Sequence, residues 1–365
     1  MNKPKKIVHI GDIHIFLNKR HQEHRYVISL LVDYIKNNNI DLVYIGGDVI
    51  DSKNKLQPEQ VRVATLLFEA ISAIVPIVCI PGNHDCLVNN NSVIDSITPI
   101  VEPIQGLHPI YYLKDTGVYK LYDIDWCVWS CIDNKDPFEE VKEDYKFGYK
   151  IGCFHGAVNG AKTDSGFTLT SKTEISQFDS CDTVFLADIH KRYYFRNKDI
   201  AYCGGLIEAK VDEEGEKGGI VWTWSEKKQK YIPQDFNLLN IYGFKTYKIN
   251  ELASFDLDTV IKDTTLLSKT VRLLYTGEQV SFSLSKFISI KKELASVISN
   301  TIIIETVYKR NKKKTKSDLQ KDKALKLKDL PVGTQIHNIE LQPGRSEEHT
   351  SELQHITLSR MPSSA

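Results

Sequence analysis

An α/β fold of layered sheets, followed by a small α+β unit, is what the pattern of this chain predicts. Three observations carry that prediction. The first hundred residues alternate strands with helices, the stretch after residue 108 holds short strands with few helices, and a second alternating unit begins near residue 234. A β-α-β-α-β order with short connections implies parallel strands covered by helices. The strands that follow supply a second sheet facing the first.

The elements follow in order. "KIVHIGD" reads as a strand, and residues 22–36 place Val27, Leu30, Leu31, Tyr34 and Ile35 on one helical face. "DLVYIGGD" is the next strand, "PEQVRVATLLFEAISAI" the next helix and "PIVCIPGNHD" the third strand. The second sheet is expected from "PIYYL", "GVYKLY", "IDWCVWSC", "YKIGCFHG", "DTVFLADIH", "DIAYCGG" and "GGIVWTWS". In the small unit, "YGFKTYKI", "TVRLLYTG" and "TIIIETVYKR" read as strands, with helices over 251–263 and 284–299. The expected boundaries are 1–233 for the large domain and 234–310 for the small one. Residues 311–365 are expected to be a basic linker and an artefactual, chimeric tail.

Composition excludes few classes. Hydrophobic residues make up 41% and charged residues 26%, ordinary values for a globular protein. With 47 Lys+Arg against 47 Asp+Glu, bulk charge announces no nucleic-acid partner, although a local basic groove is compatible with it. The short basic start runs directly into a strand, and no apolar run is long enough to span a bilayer. The seven cysteines are scattered without a CxxC pair, which suits buried free thiols in a reducing cytoplasm. A cytoplasmic protein without a membrane partner is therefore expected.

Chemistry gathers at strand ends. Five polar clusters fall there: "GDIH" (Asp12, His14), "GGDVID" (Asp48, Asp51), "GNHD" (Asn83, His84, Asp85), "FHG" (His155) and "ADIH" (Asp188, His190). Open α/β sheets bind ligands at the carboxyl ends of their strands, so one rim collects all five. Residues two apart in a strand face the same side, so Asp12 and His14 are expected to converge, as are Asp188 and His190. Carboxylates, imidazoles and an amide oxygen suit Mn²⁺, Mg²⁺, Fe or Zn²⁺ and not a thiolate zinc site. Two such ions about 3.5–4 Å apart would clamp a phosphoryl group and generate a hydroxide nucleophile. Singly, each cluster is weak evidence; in this order, each at a strand end, they are hard to produce by chance. His21, His24 and His108 read as ordinary surface residues, and His9 as packed.

The order DxH, GGDxxD, GNHD, HG, (G/A)DIH resembles the calcineurin-like metallophosphoesterases. It looks most like the nuclease subunit of the SbcCD-type exonuclease and its phage and large-virus relatives. The resemblance covers residues 5–232 strongly and the small module more loosely. It implies an α/β/β/α metallophosphoesterase sandwich with a capping domain that helps admit DNA. It further implies one metal held by Asp12, His14, Asp48 and His190. A second would be held by Asp48 (bridging), Asn83, His155 and Asp188. His84 would protonate the leaving group, with Asp85 orienting its ring. The final motif usually reads GHxH, whereas here Ala187-Asp188 replaces the Gly-His pair. Asp188 still offers an oxygen ligand and favours harder ions such as Mn²⁺ or Mg²⁺.

The function so implied is a DNA exo/endonuclease acting in repair or recombination, partnered by an SbcC-like coiled-coil ATPase and compatible with a homodimer. The alternative is a metallophosphatase or phosphodiesterase on small-molecule or protein substrates. Against a protein phosphatase of this superfamily, "GDVIDSK" and "GNHD" stand where GDxxDRG and GNHE are usual, without the Arg that grips phosphate. The docking helices of the nuclease family lie C-terminal to the cap, where this chain turns to "NKKKTKSDLQKDKALKLKD". Beyond it, "LPVGTQIHNIELQPG" resembles a segment of a large-subunit ribosomal protein. "RSEEHTSELQ" looks like a translated sequencing adapter. A chimeric join within 310–325 is expected, so the docking segment for the ATPase is expected to be missing.

Overall fold

In the computed structural model, the described residues are 2–307 except 53–54, 91, 134, 140, 164–165, 196–198, 214, 253–254, 265–267 and 279–281. The expectations for residues 311–365 lie outside them.

The first strand, β1 (Lys6–Ile10), leads to helix α1 (His21–Asn37), β2 (Leu42–Ile45), α2 (Pro58–Ser72), β3 (Ile77–Cys79), the single turn α3 (Thr98–Val101) and β4 (Ile110–Tyr112). Strands β1, β2 and β3 are almost wholly buried, which is why they read as unbroken apolar runs and not as alternation. Helix α1 buries Val27, Ile28, Leu31 and Ile35 along one stripe. Helix α2 starts on Pro58, with Gln57 and Gln60 capping each other reciprocally.

Next come β5 (Gly117–Leu121), β6 (Ile124–Trp129), β7 (Tyr149–His155), β8 (Thr183–Ala187), β9 (Tyr193–Phe195), β10 (Ile200–Tyr202), β11 (Gly218–Ser225) and β12 (Lys230–Asn237). Two six-stranded sheets result, in the orders β12-β11-β1-β2-β3-β4 and β5-β6-β7-β8-β10-β9. This corrects the expected division of strands. "PIYYL" and "GGIVWTWS" belong to the first sheet, because β4 continues the parallel set beside β3 and β11 pairs antiparallel with β1. Pairing with β1 gives the apolar β11 a buried neighbour on the one side of the sheet still open.

The layers of a sandwich follow from the packing. Helices α1 and α2 cover one face of the first sheet, through Leu31, Ile35, Leu67 and Phe68. Between the sheets lie Tyr44, Trp126, Phe185, Trp222 and Tyr231. The outer face of the second sheet is closed by a 3₁₀ turn, Ile175–Phe178, and by loops that bring Phe138 and Leu169 against Trp129 and Leu186. His9 is packed in the central layer as expected. It stacks on Phe185 at 4.8 Å, and Trp222 Nε1 donates to its Nδ1 at 3.4 Å.

A third sheet is made by β13 (Phe244–Ile249), β14 (Thr270–Tyr275) and β15 (Ile302–Thr306), all parallel, with α4 (Leu257–Thr264) and α5 (Leu284–Val297) between them in sequence. It has its own core around Tyr275, Phe287 and Leu294. The expected boundary at 233 falls inside β12, which pairs with β11 along its whole length to Asn237. Residues Met1–Lys309 form one compact unit. All seven cysteines are free, and Cys86 Sγ touches Cys131 Sγ at 3.4 Å. Among the described residues, no helix is long and apolar enough to cross a membrane.

Candidate functional site

The polar clusters meet at one rim, but not by strand alternation. Strand β1 ends at Ile10 and β8 at Ala187, so Asp12, His14, Asp188 and His190 all lie beyond their strands. Asp12 and His14 converge as expected, although the turn after the strand and not the pleat does the aiming, whereas Asp188 lies by His155 and His190 by His14. Asp12, His14, Asp48 and Asp188 have φ of 48°, 44°, 52° and 101°. Asp and His enter this left-handed region more readily than most residues, and backbone strain of this kind gathers at functional sites. The turns lock together through Asp12 N–H to Gly47 O (3.1 Å) and Ile13 N–H to Asp48 O (2.9 Å). Two glycines permit the closest approach. A Cβ on Gly47 would meet the Gly82 nitrogen at 2.5 Å, and one on Gly82 would meet the Asp48 nitrogen at 2.2 Å.

Donor atoms then converge. His14 Nε2 lies 3.0 Å from His190 Nε2 and 3.5 Å from Asp48 Oδ2. On the other side, His155 Nε2 lies 3.3 Å from Asp48 Oδ1 and 3.8 Å from Asp188 Oδ1. Asp188 N–H donates to both Asp12 carboxylate oxygens, at 3.0 and 3.1 Å, and Asn83 Nδ2 donates to Asp188 Oδ1 at 3.1 Å. Three groups form among the described residues, Asp12–His14–His190, Asp12–Asp48–His155 and His14–Asp51–His84, with Asp12 common to the first two and His14 common to the first and third. The sequence-derived ligands thus come together in one cluster. Asp48 turns one oxygen toward each of the first two groups.

Two imidazoles are held from behind: His155 Nδ1 donates to Gly46 O at 2.8 Å, and His190 Nδ1 faces Glu213 Oε1 at 2.8 Å. Their Nε2 atoms are thereby turned inward. His14 Nδ1 is buried without a hydrogen-bond partner, with Asp51 Oδ1 3.5 Å away. His155 Nε2 is buried with no hydrogen-bond partner, the condition of a nitrogen reserved for an ion. Electrostatics agree. Burial pushes the Asp12 carboxyl above its ordinary range. Burial alone would also raise Asp48, yet the His155, His14 and His84 rings hold it well below that range. Burial disfavours charged His14 and His155, but the surrounding carboxylates outweigh it and raise both. The pocket favours positive charge, which divalent ions supply.

His84 sits at the edge of the cluster, in the third group with His14 and Asp51, its ring 5.0 Å from that of His14. Its N–H donates to Asp48 Oδ1 at 2.8 Å, and its ring Nδ1 faces the Asp51 carbonyl oxygen at 2.6 Å. Asp85 does not orient that ring, contrary to expectation. It is fully buried and accepts from the backbone N–H groups of Ile50 (2.9 Å), Gly82 (2.9 Å) and Val49 (3.3 Å). Its carboxylate points into the neighbouring loop because those three N–H groups have no strand partner. Burial, with Asp48 nearby, pushes its carboxyl up to about 7.

Two participants escaped sequence reasoning. Glu213 carries no motif and lies 23 residues from the histidine it orients. His24, expected at the surface, is buried. Its ring nitrogens face the carbonyls of Arg20 (2.9 Å), His14 (3.1 Å) and Ile13 (3.2 Å), which props the turn beneath the site. The signal available was its place on the apolar stripe, three residues before Val27.

Such a rim of oriented imidazoles and shared carboxylates defines the class of a metal-dependent hydrolase. A model of the calcineurin-like phosphoesterase family matches residues 5–200, and the chain belongs to that family. Membership implies hydrolysis of phosphoester bonds with divalent metal ions. The chain is also similar to the "Uncharacterized protein R555" of Acanthamoeba polyphaga mimivirus, 32% identical over 260 residues. That match covers 67% of this chain and 19% of the viral protein, so the chain spans about a fifth of its relative's length. Among solved structures it is similar to "GAP50 the anchor in the inner membrane complex of Plasmodium". That likeness has a TM-score of 0.37 and 10% identity, covering 65% of this chain and 90% of that one.

Proposed function

We propose that this chain is a phosphodiester hydrolase carrying two divalent ions, and that its substrate is DNA, in the manner of an SbcD-type exo/endonuclease of repair or recombination. The observation that carries the metal reading is the orientation of His155 and His190, each with Nδ1 bound to an oxygen and Nε2 turned inward beside the buried His14. Two ligands about 2.1 Å from one ion at right angles stand about 3.0 Å apart. The His14–His190 nitrogen pair has that spacing. One ion falls to Asp12, His14, Asp48 and His190, the other to Asp48, Asn83, His155 and Asp188. Bound there, the ions would neutralise phosphoryl charge and activate the nucleophile. The oxygen-rich set, with Asp188 as a further carboxylate, favours Mn²⁺ or Mg²⁺.

His84 is the acid for the leaving oxygen. Its Nδ1 is fixed on the Asp51 carbonyl, so its other nitrogen is left to the substrate side. The DNA reading rests on the motif order, on the missing phosphate-gripping Arg, and on the three-stranded module standing where that family carries its cap. An SbcC-like ATPase and a second copy of the chain are the partners this reading adds.

A Mn²⁺-dependent assay on labelled single- and double-stranded DNA, run beside a chromogenic phosphodiester, tests it. DNA should shorten with Mn²⁺ and stay intact with chelator. Asp48→Asn should lose at least one ion and nearly all turnover. Cleavage of the chromogenic diester with DNA untouched would remove the nuclease reading. Two ions and full activity in Asp48→Asn would remove the site.

A further inference from the structure

Glu213 is 8% exposed and fully engaged. Oε1 holds His190 Nδ1 at 2.8 Å, and Oε2 accepts from Ala209 N–H at 3.0 Å with Lys217 Nζ at 3.8 Å. Its chain neighbour Asp212 reaches the other way. Asp212 Oδ1 accepts from Arg272 Nη1 at 2.8 Å, and Arg272 lies 8% exposed on β14, the central strand of the small sheet. Arg272 also binds Glu305 of β15 through Nε and Nη2, at 2.9 and 2.6 Å. A second tie runs alongside. Buried Glu208 accepts from Gly215 N–H at 3.2 Å and from Phe244 N–H of β13, and Lys269 Nζ stands 3.8 Å away. Through the adjacent Glu213 and Asp212 the segment 208–215 is fastened both to a rim histidine and to the small sheet, and Glu208 adds the second tie to the sheet.

We propose that Glu213 is the positioning residue for His190, and that the three-stranded module sets its position through the Arg272–Asp212 pair. Metal affinity at His190 and the seating of the module are then linked. The inference rests on the reading that His190 binds a divalent ion. A carboxylate on Nδ1–H fixes the tautomer that presents a lone pair at Nε2, and loss of such a partner typically costs about 10–100-fold in metal affinity. Linkage is reciprocal, so ion binding must also tighten the module's hold on the segment.

Calorimetric titration of Mn²⁺ into the full chain and its variants tests both steps. Wild type should bind two ions. Glu213→Ala should weaken one of them by about 10–100-fold and leave the other unchanged. Glu213→Gln, which still offers an oxygen to Nδ1–H, should recover most of the loss. Arg272→Met should weaken the same ion by about fivefold or more, the lower end of typical coupling. Asp212→Ala, at an exposed carboxylate, should match it and serves if Arg272→Met disturbs the sheet. Hydrogen exchange at β14 amides should slow on adding Mn²⁺ to wild type and not to the Asp212 variant. Wild type binding no ion would overturn this inference together with the metal reading beneath it. Two ions bound by wild type and unchanged in Glu213→Ala would overturn the positioning role alone. Equal weakening of both ions with a lowered melting temperature would make Glu213 a structural prop and overturn it as well. Unchanged affinity in Asp212→Ala, with β14 exchange responding as in wild type, would overturn the link to the module.

Discussion

His84 Nδ1 lies 2.6 Å from the main-chain oxygen of Asp51, while the carboxylate of the adjacent Asp85 is turned into the backbone of the loop at 49–50. One step along the chain separates the side chain proposed as the acid from one holding the scaffold. The two should fail differently when replaced.

His84→Gln should keep both ions and lose roughly 10²–10⁴ in rate on DNA, the usual worth of general acid catalysis. On nitrophenyl diesters, whose leaving group needs little protonation, the loss should be much smaller. Single-turnover rates on the two substrates make the comparison, and equal losses would rule out the acid role.

Asp85→Ala should act on stability. It strips acceptors from three N–H groups, two of them at 2.9 Å, in a fully buried place. Unsatisfied buried donors cost about 1–3 kcal/mol each, so urea unfolding should show a loss of about 2–5 kcal/mol. His84→Gln should change stability by under about 1 kcal/mol. If Asp85→Ala unfolds like wild type, the carboxylate is not the clasp between these loops.

His9 predicts an acid limb. Burial lowers its imidazole to about 3 from an ordinary 6.5. Above pH 6.5 the ring is neutral folded or unfolded, and its full contribution to stability is present. As pH falls from 6.5 toward 3, the unfolded chain takes up a proton that the folded core refuses, so stability is lost. The slope from this group approaches about 1.4 kcal/mol per pH unit. His9→Phe keeps a ring beside Phe185 and should flatten the limb by that amount between pH 6 and 4. Parallel wild-type and variant slopes would show that His9 does not carry it.

The sequence made the rim legible because each ligand sits in a short motif at the end of an apolar run, and apolar runs mark buried strands. It made the small module legible because alternating strand and helix patterns are local. Sheet membership was not local. β4 and β11 are rich in apolar and aromatic residues like the strands of the second sheet, and only pairing beside β3 and β1 assigns them. Glu213 was hidden for the same reason, since its role depends on where a loop returns in space. His24 was misread because a polar residue on an apolar stripe is placed outside by type, while here three carbonyls needed partners beneath the rim. Asp85 was misassigned because its role was carried over from the family motif, whereas here its carboxylate is taken by three backbone N–H groups.

At Asp12, His14, Asp48 and Asp188 the choice of residue is narrowed twice, once by the coordination proposed for them and once by their left-handed backbone. Glutamate would match the charge of aspartate there and still be the poorer tenant of that dihedral. Asn83, His155 and His190 stand on backbones without this restriction. Drift toward another metal preference, by natural variation or by design, therefore has its freedom at those three positions and in the residues behind them, while the other four are held fixed by geometry before chemistry is consulted.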